Sequence, residues 1–370
     1  MAAADMTFPD DLKPNMETVS SSPAGAGSDD TLRDLWYYAL PSRAIGPATL
    51  VPCTLLGEDL IFGRDAAGVP FVLNDCCPHR GIPLRFGSFD GAEVQCCYHG
   101  WRFAPDGRLT HVPSLVEGQA FDLSRVRVGG YPCREADGNI WIFMSKERGT
   151  APTGHDIPHL PDIGANYHRL FETQIFPCPL DHAVMGLMDP AHGPFVHTSW
   201  WWRPPASAHE KEKRFAPSEH GFCMLRHRPS GNSRLYKVLG SPETEITFRL
   251  PGVRIEHVWA GSHHLVSLTG VTPISAKKTR VSQAVYWTVP WLTPLKPAIK
   301  YLLKTFLGQD RDIVTKQQLG LRHNPPLRLI DDADTPAKWY LKLKREFASA
   351  QNEGRDFKNP VPETTLRWKS

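Results

Sequence analysis

At 370 residues the chain is long enough for two domains of ordinary size, and its 41% hydrophobic content is enough to build a core for each. A formal charge of +3, spread over 42 basic and 39 acidic side chains with no run of like charges, excludes a nucleic-acid-binding tail, so nucleic acid is not an expected partner. The chain has no uninterrupted apolar stretch of about 18 residues, and its opening MAAADMTFPDD lacks a basic n-region and an apolar h-region, so the expected location is cytoplasmic.

In chain order, residues 1–28 are rich in Ala, Ser, Gly, Pro and Asp without hydrophobic period, which suits a disordered leader. From Thr31, TLRDLWYYAL places Leu32, Leu35, Trp36 and Ala39 on one helical face, and the expectation is a helix ended by Pro41. Between Thr49 and Met144, short apolar runs such as TLLGEDLIF, PFVLND, AEVQCC and GNIWIFM alternate with Gly, Asp and Pro turns, the pattern of a small antiparallel β domain. The Pro-, Gly- and His-rich stretch near 150–165 marks a crossing, giving a first domain at 29–150 and a second at 151–370. The second opens with HRLFETQIF and a helical stretch around Asp181 to His197. It continues through GFCMLRHR, RLYKVL, TEITFRL, VRIEHVWA, HLVSLTGVTP and RVSQAVYWTV, expected to form one large antiparallel sheet. Helices follow from about Leu295 and from Pro336 to Ala350, so the fold class is α+β.

Eight cysteines, two of them in C-x-H and C-x2-H spacings, suit metal ligation better than a secreted disulfide framework. Cys77-Pro78-His79 and Cys96-Cys97-Tyr98-His99 are separated by sixteen residues, with Gly81, Gly87, Gly91 and Gly100 to turn the loops. Two thiolates suit one iron of a 2Fe-2S cluster and two imidazoles the other, which raises the reduction potential relative to an all-cysteine cluster. A Cys2His2 zinc site uses the same ligand types, and Cys76 with His79 or Cys97 with His99 are formal alternative pairings. The strings CPHRGIPLRFGSFDG and CCYHGWRFAPDGR resemble the Rieske domain of the ring-hydroxylating, Rieske non-haem iron oxygenase family. That resemblance implies a 2Fe-2S cluster on Cys77, His79, Cys96 and His99, leaving Cys76 and Cys97 as packing residues.

Farther on, Asp189-Pro190-Ala191-His192 runs into Gly193-Pro194-Phe195-Val196-His197. Two imidazoles with one carboxylate form the facial triad of a non-haem Fe(II) centre, although histidines at this spacing are also common as structural residues. LMDPAHGPFVH resembles the iron-binding segment of the same family, which implies that His192 and His197 hold a mononuclear Fe(II). The resemblance makes Asp189 no ligand; it accepts a hydrogen bond from His192 and faces His99 of a neighbouring subunit as an electron-transfer bridge. Where the family usually has an asparagine three or four residues before this aspartate, the chain has Gly186 and Met185. The third ligand is expected on a helix after the large sheet. Gln309-Asp310-Arg311-Asp312 resembles the family pattern there, aligning Asp310, with Asp312 as the alternative on a different helical face.

The resemblance spans about residues 31–345. It implies a terminal oxygenase that draws single electrons from a ferredoxin and/or an NAD(P)H-dependent reductase and spends them on O2, within a head-to-tail homotrimer. No GxGxxG fingerprint offers the chain its own nicotinamide or flavin site. Monooxygenation, extending to demethylation, is the expected outcome. Leu295, Ile299, Leu302, Leu303 and Phe306 beside Lys296, Lys300 and Lys304 form a basic amphipathic helix, readable as packed on the second domain with a solvated edge or as a lid or peripheral membrane contact through which a lipophilic substrate enters. With Trp200, Trp201 and Trp202 it suggests a bulky apolar ring substrate such as a sterol, terpenoid or polycycle. Arg249, Arg254 and Lys237 suit either a substrate carboxylate or exposed sheet positions. The alternatives are a dioxygenase or O-demethylase of a small aromatic compound, a Rieske electron carrier, and a zinc-binding interaction protein.

Overall fold

The computed structural model describes residues 31–152, 156–160, 168–197, 199, 209–229 and 240–370. The leader assigned to 1–28, Trp200 to Trp202, Lys237 and the segment RLYKVL lie outside these residues.

The first part of the chain builds β1 (Leu35–Pro41), β2 (Val51–Leu55), β3 (Glu58–Arg64), β4 (Pro70–Asn74), β5 (Ser88–Phe89), β6 (Val94–Gln95), β7 (Arg102–Phe103), β8 (Leu109–His111), β9 (Cys133–Ala136) and β10 (Asn139–Met144). They form three small sheets, β1-β10-β9, β2-β3-β4 and β5-β6-β7-β8, as the alternation of short apolar runs and turns implies. The expected helix at TLRDLWYYAL is instead β1, paired antiparallel with β10 from Leu35 opposite Met144 to Pro41 opposite Asn139. The reason lies in burial on both faces. Leu35, Tyr37 and Ala39 enter one core, while Trp36 and Tyr38 enter another. A doubly buried strand is apolar at nearly every position, so it also satisfies a 3.6-residue count, and its aromatic enrichment was the better guide.

The second part contains β11 (His168–Phe176), α1 (Leu180–Met188), α2 (Gly193–Val196), β12 (Glu210–Ser218), β13 (Gly221–His227), β14 (Glu243–Arg249), β15 (Val253–Ala260), β16 (His263–Ser275), β17 (Lys278–Trp287), α3 (Lys296–Leu321), α4 (Thr335–Glu353) and β18 (Thr364–Lys369). One antiparallel sheet runs in the order β11-β17-β16-β15-β14-β13-β12-β18. Strands β12 and β18 escaped the sequence reading, the first because charged residues dominate EKEKRF; they pair with each other at the sheet's end.

Residues opposite one another in antiparallel strands share a face, so the register divides the sheet cleanly. Val253, Val266, Leu268, Ala284 and Tyr286 pack with Trp36, Tyr38 and Trp141 of the first part. Val271 and Val281 on the other face join Ala183 and Val184 of α1 and Leu307 and Val314 of α3. The amphipathic stripe of α3 is spent in the same way: Ile299 and Leu303 lie against Leu170, Val285 and Trp287. Among the described residues no helix is long and apolar enough to cross a membrane.

Contact between β1 and the large sheet is close enough to require a glycine. A Cβ at Gly270 would lie 2.6 Å from the Cβ of Tyr38, whose carbonyl accepts a 2.7 Å hydrogen bond from Thr272. Gly270→Ala is therefore expected to cost about 1–3 kcal/mol through overpacking, read as a lowered urea midpoint in equilibrium unfolding.

Two candidate metal centres

The cysteine–histidine loops are built to one plan. Cys77 N–H donates to Ile82 O at 2.9 Å and Gly81 N–H to Cys77 O at 2.8 Å; Cys96 N–H donates to Trp101 O at 2.9 Å and Gly100 N–H to Cys96 O at 3.1 Å. Gly81 and Gly100 close these turns at φ +74° and +69°, a backbone region open to glycine at little cost. The matched loops bury Cys77 and Cys96, whereas Cys76 and Cys97 are exposed. Burial, reinforced by the Cys96 thiol alongside, pushes the Cys77 thiol up to about 11. Two adjacent buried thiols become thiolates only with positive charge between them, which metal ions supply.

His79 and His99 stand together at the open end of the loops, ring centroids 4.6 Å apart, with His79 stacked on Trp101 at 4.4 Å and 3°. The cysteines pair and the histidines pair, but among the described residues no three of the four bring their ligand atoms within 4.8 Å of one another. A tetrahedral zinc ion needs all four around a single point. A pair of thiols and a pair of imidazoles would be the donor set that holds a Rieske-type 2Fe-2S cluster.

Such a single-point grouping does occur at His192, His197 and Asp310, whose ligand atoms all lie within 4.8 Å of one another. His192 and His197 bracket the single turn of α2, which has Pro194 as its second residue, so that both rings turn inward while Phe195 points out. Their Nε2 atoms are 3.2 Å apart, and Asp310 Oδ1 is 3.6 Å from the first and 3.4 Å from the second. Each ring's other nitrogen is committed. His192 Nδ1–H donates to the backbone carbonyl of Asp189 at 2.8 Å, and His197 Nδ1–H donates to Gln309 Oε1 at 3.1 Å. Both Nε2 lone pairs consequently face each other and a carboxylate oxygen, an arrangement that repels itself unless a cation sits among them.

The carboxylate of Asp189 is the farther partner of His192, at 3.6 Å, and instead accepts from Ala191 N–H at 2.7 Å. Burial works to raise its pKa, but the contacts with His192 and Ala191 outweigh this and hold it below the usual value. Burial pushes Asp310 up to about 6, against the pull of His192 and Arg254. Asp312 is solvent-exposed and pairs with Arg311 at 3.1 Å, away from the triad.

Two supporting residues were not anticipated. Phe306 stacks flat on His197 at 3.7 Å, and Gln309 ties His197 to Ser199, its Nε2 donating to the Ser199 hydroxyl at 2.9 Å. A signal existed, since Phe306, Gln309 and Asp310 share a helical stretch at spacings of three and four. At the position where the family resemblance calls for asparagine, Gly186 lines a cavity and Met185 packs into the core; the nearby His182 contacts Gln318 at 3.0 Å. That cavity has a volume of about 360 Å³ and reaches Asp189, His192 and Asp310 between mainly apolar walls from Leu187, Ile313, Val314, Leu327 and Leu329.

Residues 35–128 match the family described as Rieske [2Fe-2S] domain. Chlorophyllide a oxygenase from Chlamydomonas reinhardtii is 36% identical over 177 residues, 47% of this chain and 26% of that protein. Cholesterol 7-desaturase from Xenopus laevis is 27% identical over 316 residues, 75% of this chain and 64% of that one. The chain thus spans about a quarter of the first relative and just under two thirds of the second. Dicamba monooxygenase, solved with dicamba bound, superposes with a TM-score of 0.69 over 87% of this chain and 98% of its own at 19% identity, a likeness of fold. A Rieske domain carries a 2Fe-2S cluster, and the oxygenases that contain one carry a mononuclear iron as well. The chain carries a Rieske [2Fe-2S] domain, shares its fold with dicamba monooxygenase, and groups His192, His197 and Asp310 on helices that follow that domain.

Proposed function

We propose that the chain is a terminal oxygenase component: a Rieske domain over 29–150 takes electrons from a ferredoxin and/or an NAD(P)H-dependent reductase, and a catalytic domain over 151–370 uses them with O2 to hydroxylate a ring substrate, in some cases on the way to demethylation. The observation that carries it is the convergence of two imidazole Nε2 atoms and one carboxylate oxygen within 3.6 Å, with both Nδ1 atoms occupied. Cys77, His79, Cys96 and His99 hold the 2Fe-2S cluster in this reading, and His192, His197 and Asp310 the mononuclear Fe(II). When bound, that iron supplies the site for dioxygen reduction, three protein ligands leaving positions open. Asp189 orients His192 through its carbonyl, and its carboxylate, a third exposed, is the bridge toward His99 of a neighbouring subunit.

A head-to-tail homotrimer is supported by two exposed apolar sets. Phe86, Tyr98, Val116 and Phe121 belong to the Rieske domain, while Phe195, Leu327, Leu329 and Ile330 belong to the second part. Unlike surfaces that pair in a closed ring give heterologous interfaces of this kind. The apolar cavity, and relatives named for cholesterol and chlorophyllide a, support a bulky apolar ring substrate. Trp291, Leu295 and Tyr301, exposed beside Lys300 and Lys304, provide a surface for drawing such a compound from a membrane. A cytoplasmic setting suits eight cysteines that are all free of disulfides. The second reading, a dioxygenase or O-demethylase of a small aromatic compound, is favoured by the cavity's modest 360 Å³, near the lower end of the roughly 300–1,000 Å³ typical of ligand sites.

Metal analysis is expected to give about three irons and two acid-labile sulfides per chain; His192→Ala and Asp310→Ala should each lose one iron and keep the cluster spectrum. Zinc without sulfide would refute the assignment. Asp189→Ala should retain both metals yet block substrate-triggered reoxidation of the cluster, followed by absorbance, and rapid reoxidation would contradict the bridge. Gln309→Leu is expected to weaken iron binding by about 10- to 100-fold, as loss of a partner to a ligating histidine generally does. Gln309→Glu, which keeps an acceptor for His197, should restore most of it in an equilibrium titration of the apo site.

A further inference from the structure

The sheet face that looks toward α3 is not uniformly apolar. Val281 and Phe176, which line the cavity beside Asp310, share it by register with Gln174, Gln283, Ser267, Arg254 and Glu256. Gln283 lies opposite Thr269, which in turn lies opposite Arg254, so the two long side chains stand two strand spacings apart, about 10 Å at the backbone, and can converge on one small group between them.

Their hydrogen bonding is incomplete. Gln174 is nine-tenths buried and its Nε2 donates to the Lys304 carbonyl at 2.7 Å, which fixes the amide orientation and leaves Oε1 with no donor among the described residues. Gln283 Nε2 is 2.9 Å from the Ser267 hydroxyl, and its Oε1 is likewise buried without a donor. Arg254 donates from one terminal nitrogen to Glu256 at 2.9 Å; among the described residues its other N–H groups meet no protein acceptor. A guanidinium carries five such donors. The strip meets α3 where Gln174 holds the Lys304 carbonyl, and Val281 and Phe176 of the same face line the cavity that reaches Asp310.

We propose that this strip is a substrate anchor for a neutral hydroxyl group, which donates to Gln283 Oε1 and accepts from Arg254 while the apolar ring skeleton lies over the triad. This rests on the oxygenase reading above and names the substrate class: a ring compound with one alcohol or phenol group. A pure hydrocarbon would cover Arg254 and Gln283 and leave both unsatisfied, the costly outcome for buried polar groups. A carboxylate is disfavoured because Glu256 already matches the Arg254 charge, so a second anion would be buried without a cation of its own.

The test uses the metal-loaded protein and three probes on one skeleton, naphthalene, 2-naphthol and 2-naphthoate, with dissociation constants from calorimetry at pH 7. The expected order is 2-naphthol tightest, by about tenfold over naphthalene, with 2-naphthoate weaker than 2-naphthol. Gln283→Leu and, independently, Arg254→Met should each remove most of the naphthol preference, weakening naphthol binding while naphthalene binds as well or more tightly. Equal binding of naphthol and naphthalene, a preference for naphthoate, binding of none of the three, or variants that keep the naphthol preference would each overturn the anchor. Iron and sulfide counts on the same sample separate the two failures: full metal content with no hydroxyl preference removes the anchor alone, whereas sulfide with the third iron missing removes the oxygenase assignment with it.

Discussion

The placement of α3 along the edge of the large sheet is the constraint on which the second centre depends. Ile299, Leu303 and Leu307 seat the helix, and the Gln174 amide pins its Lys304 carbonyl. Only because the helix is held there does Asp310 arrive beside two histidines of an earlier segment, with Gln309 reaching His197 across 112 residues of sequence. A rotation of α3 by one residue, about 100°, would carry the carboxylate off the histidines and the glutamine off the imidazole together. The helix's apolar stripe and its polar face are therefore one design, with the core contacts setting the angle at which Gln309 and Asp310 meet the two histidines.

Both centres assemble potential anions where burial resists charge. The paired thiols of Cys77 and Cys96 are fully enclosed, and Asp310 is raised to about 6 by its surroundings. Neither arrangement contributes to stability as a charged group in isolation, since an uncompensated buried charge is destabilising. The loops and helices around them must be held by other contacts, and they are: backbone hydrogen bonds close both cysteine loops, and hydrocarbon packing fixes α1 and α3. Preorganisation of this sort keeps ligand geometry independent of whether charge is present.

The local chemistry was the most legible part of the sequence. Glycines at 81 and 100 and the C-x-H and C-x2-H spacings carried the cluster loops, because a tight turn leaves a compositional mark. The choice of Asp310 over Asp312 needed a resemblance, as two acids in one helical turn look alike until the helix is placed. Contacts that are long-range or made by the backbone were not legible. The role of the Asp189 carbonyl, the Phe306 stack and the Gln309 bridge have no periodic signature, and Arg254 could be read either as exposed or as facing a ligand until the strand register assigned its face. β1 was misread for a related reason: a strand apolar on both sides satisfies the helical count equally well.

That same strand has a mechanical consequence. With Leu35, Tyr37 and Ala39 in one core and Trp36 and Tyr38 in another, β1 is common property of the Rieske part and the large sheet, and Gly270 lets the two backbones close to near contact. A shared strand leaves no seam. The two parts cannot hinge about each other without pulling aromatic side chains out of hydrocarbon, and neither keeps a complete core if the chain is cut between them. Across β1 the described residues of the two parts thus share one continuous packing, so a substitution in that strand disturbs both at once.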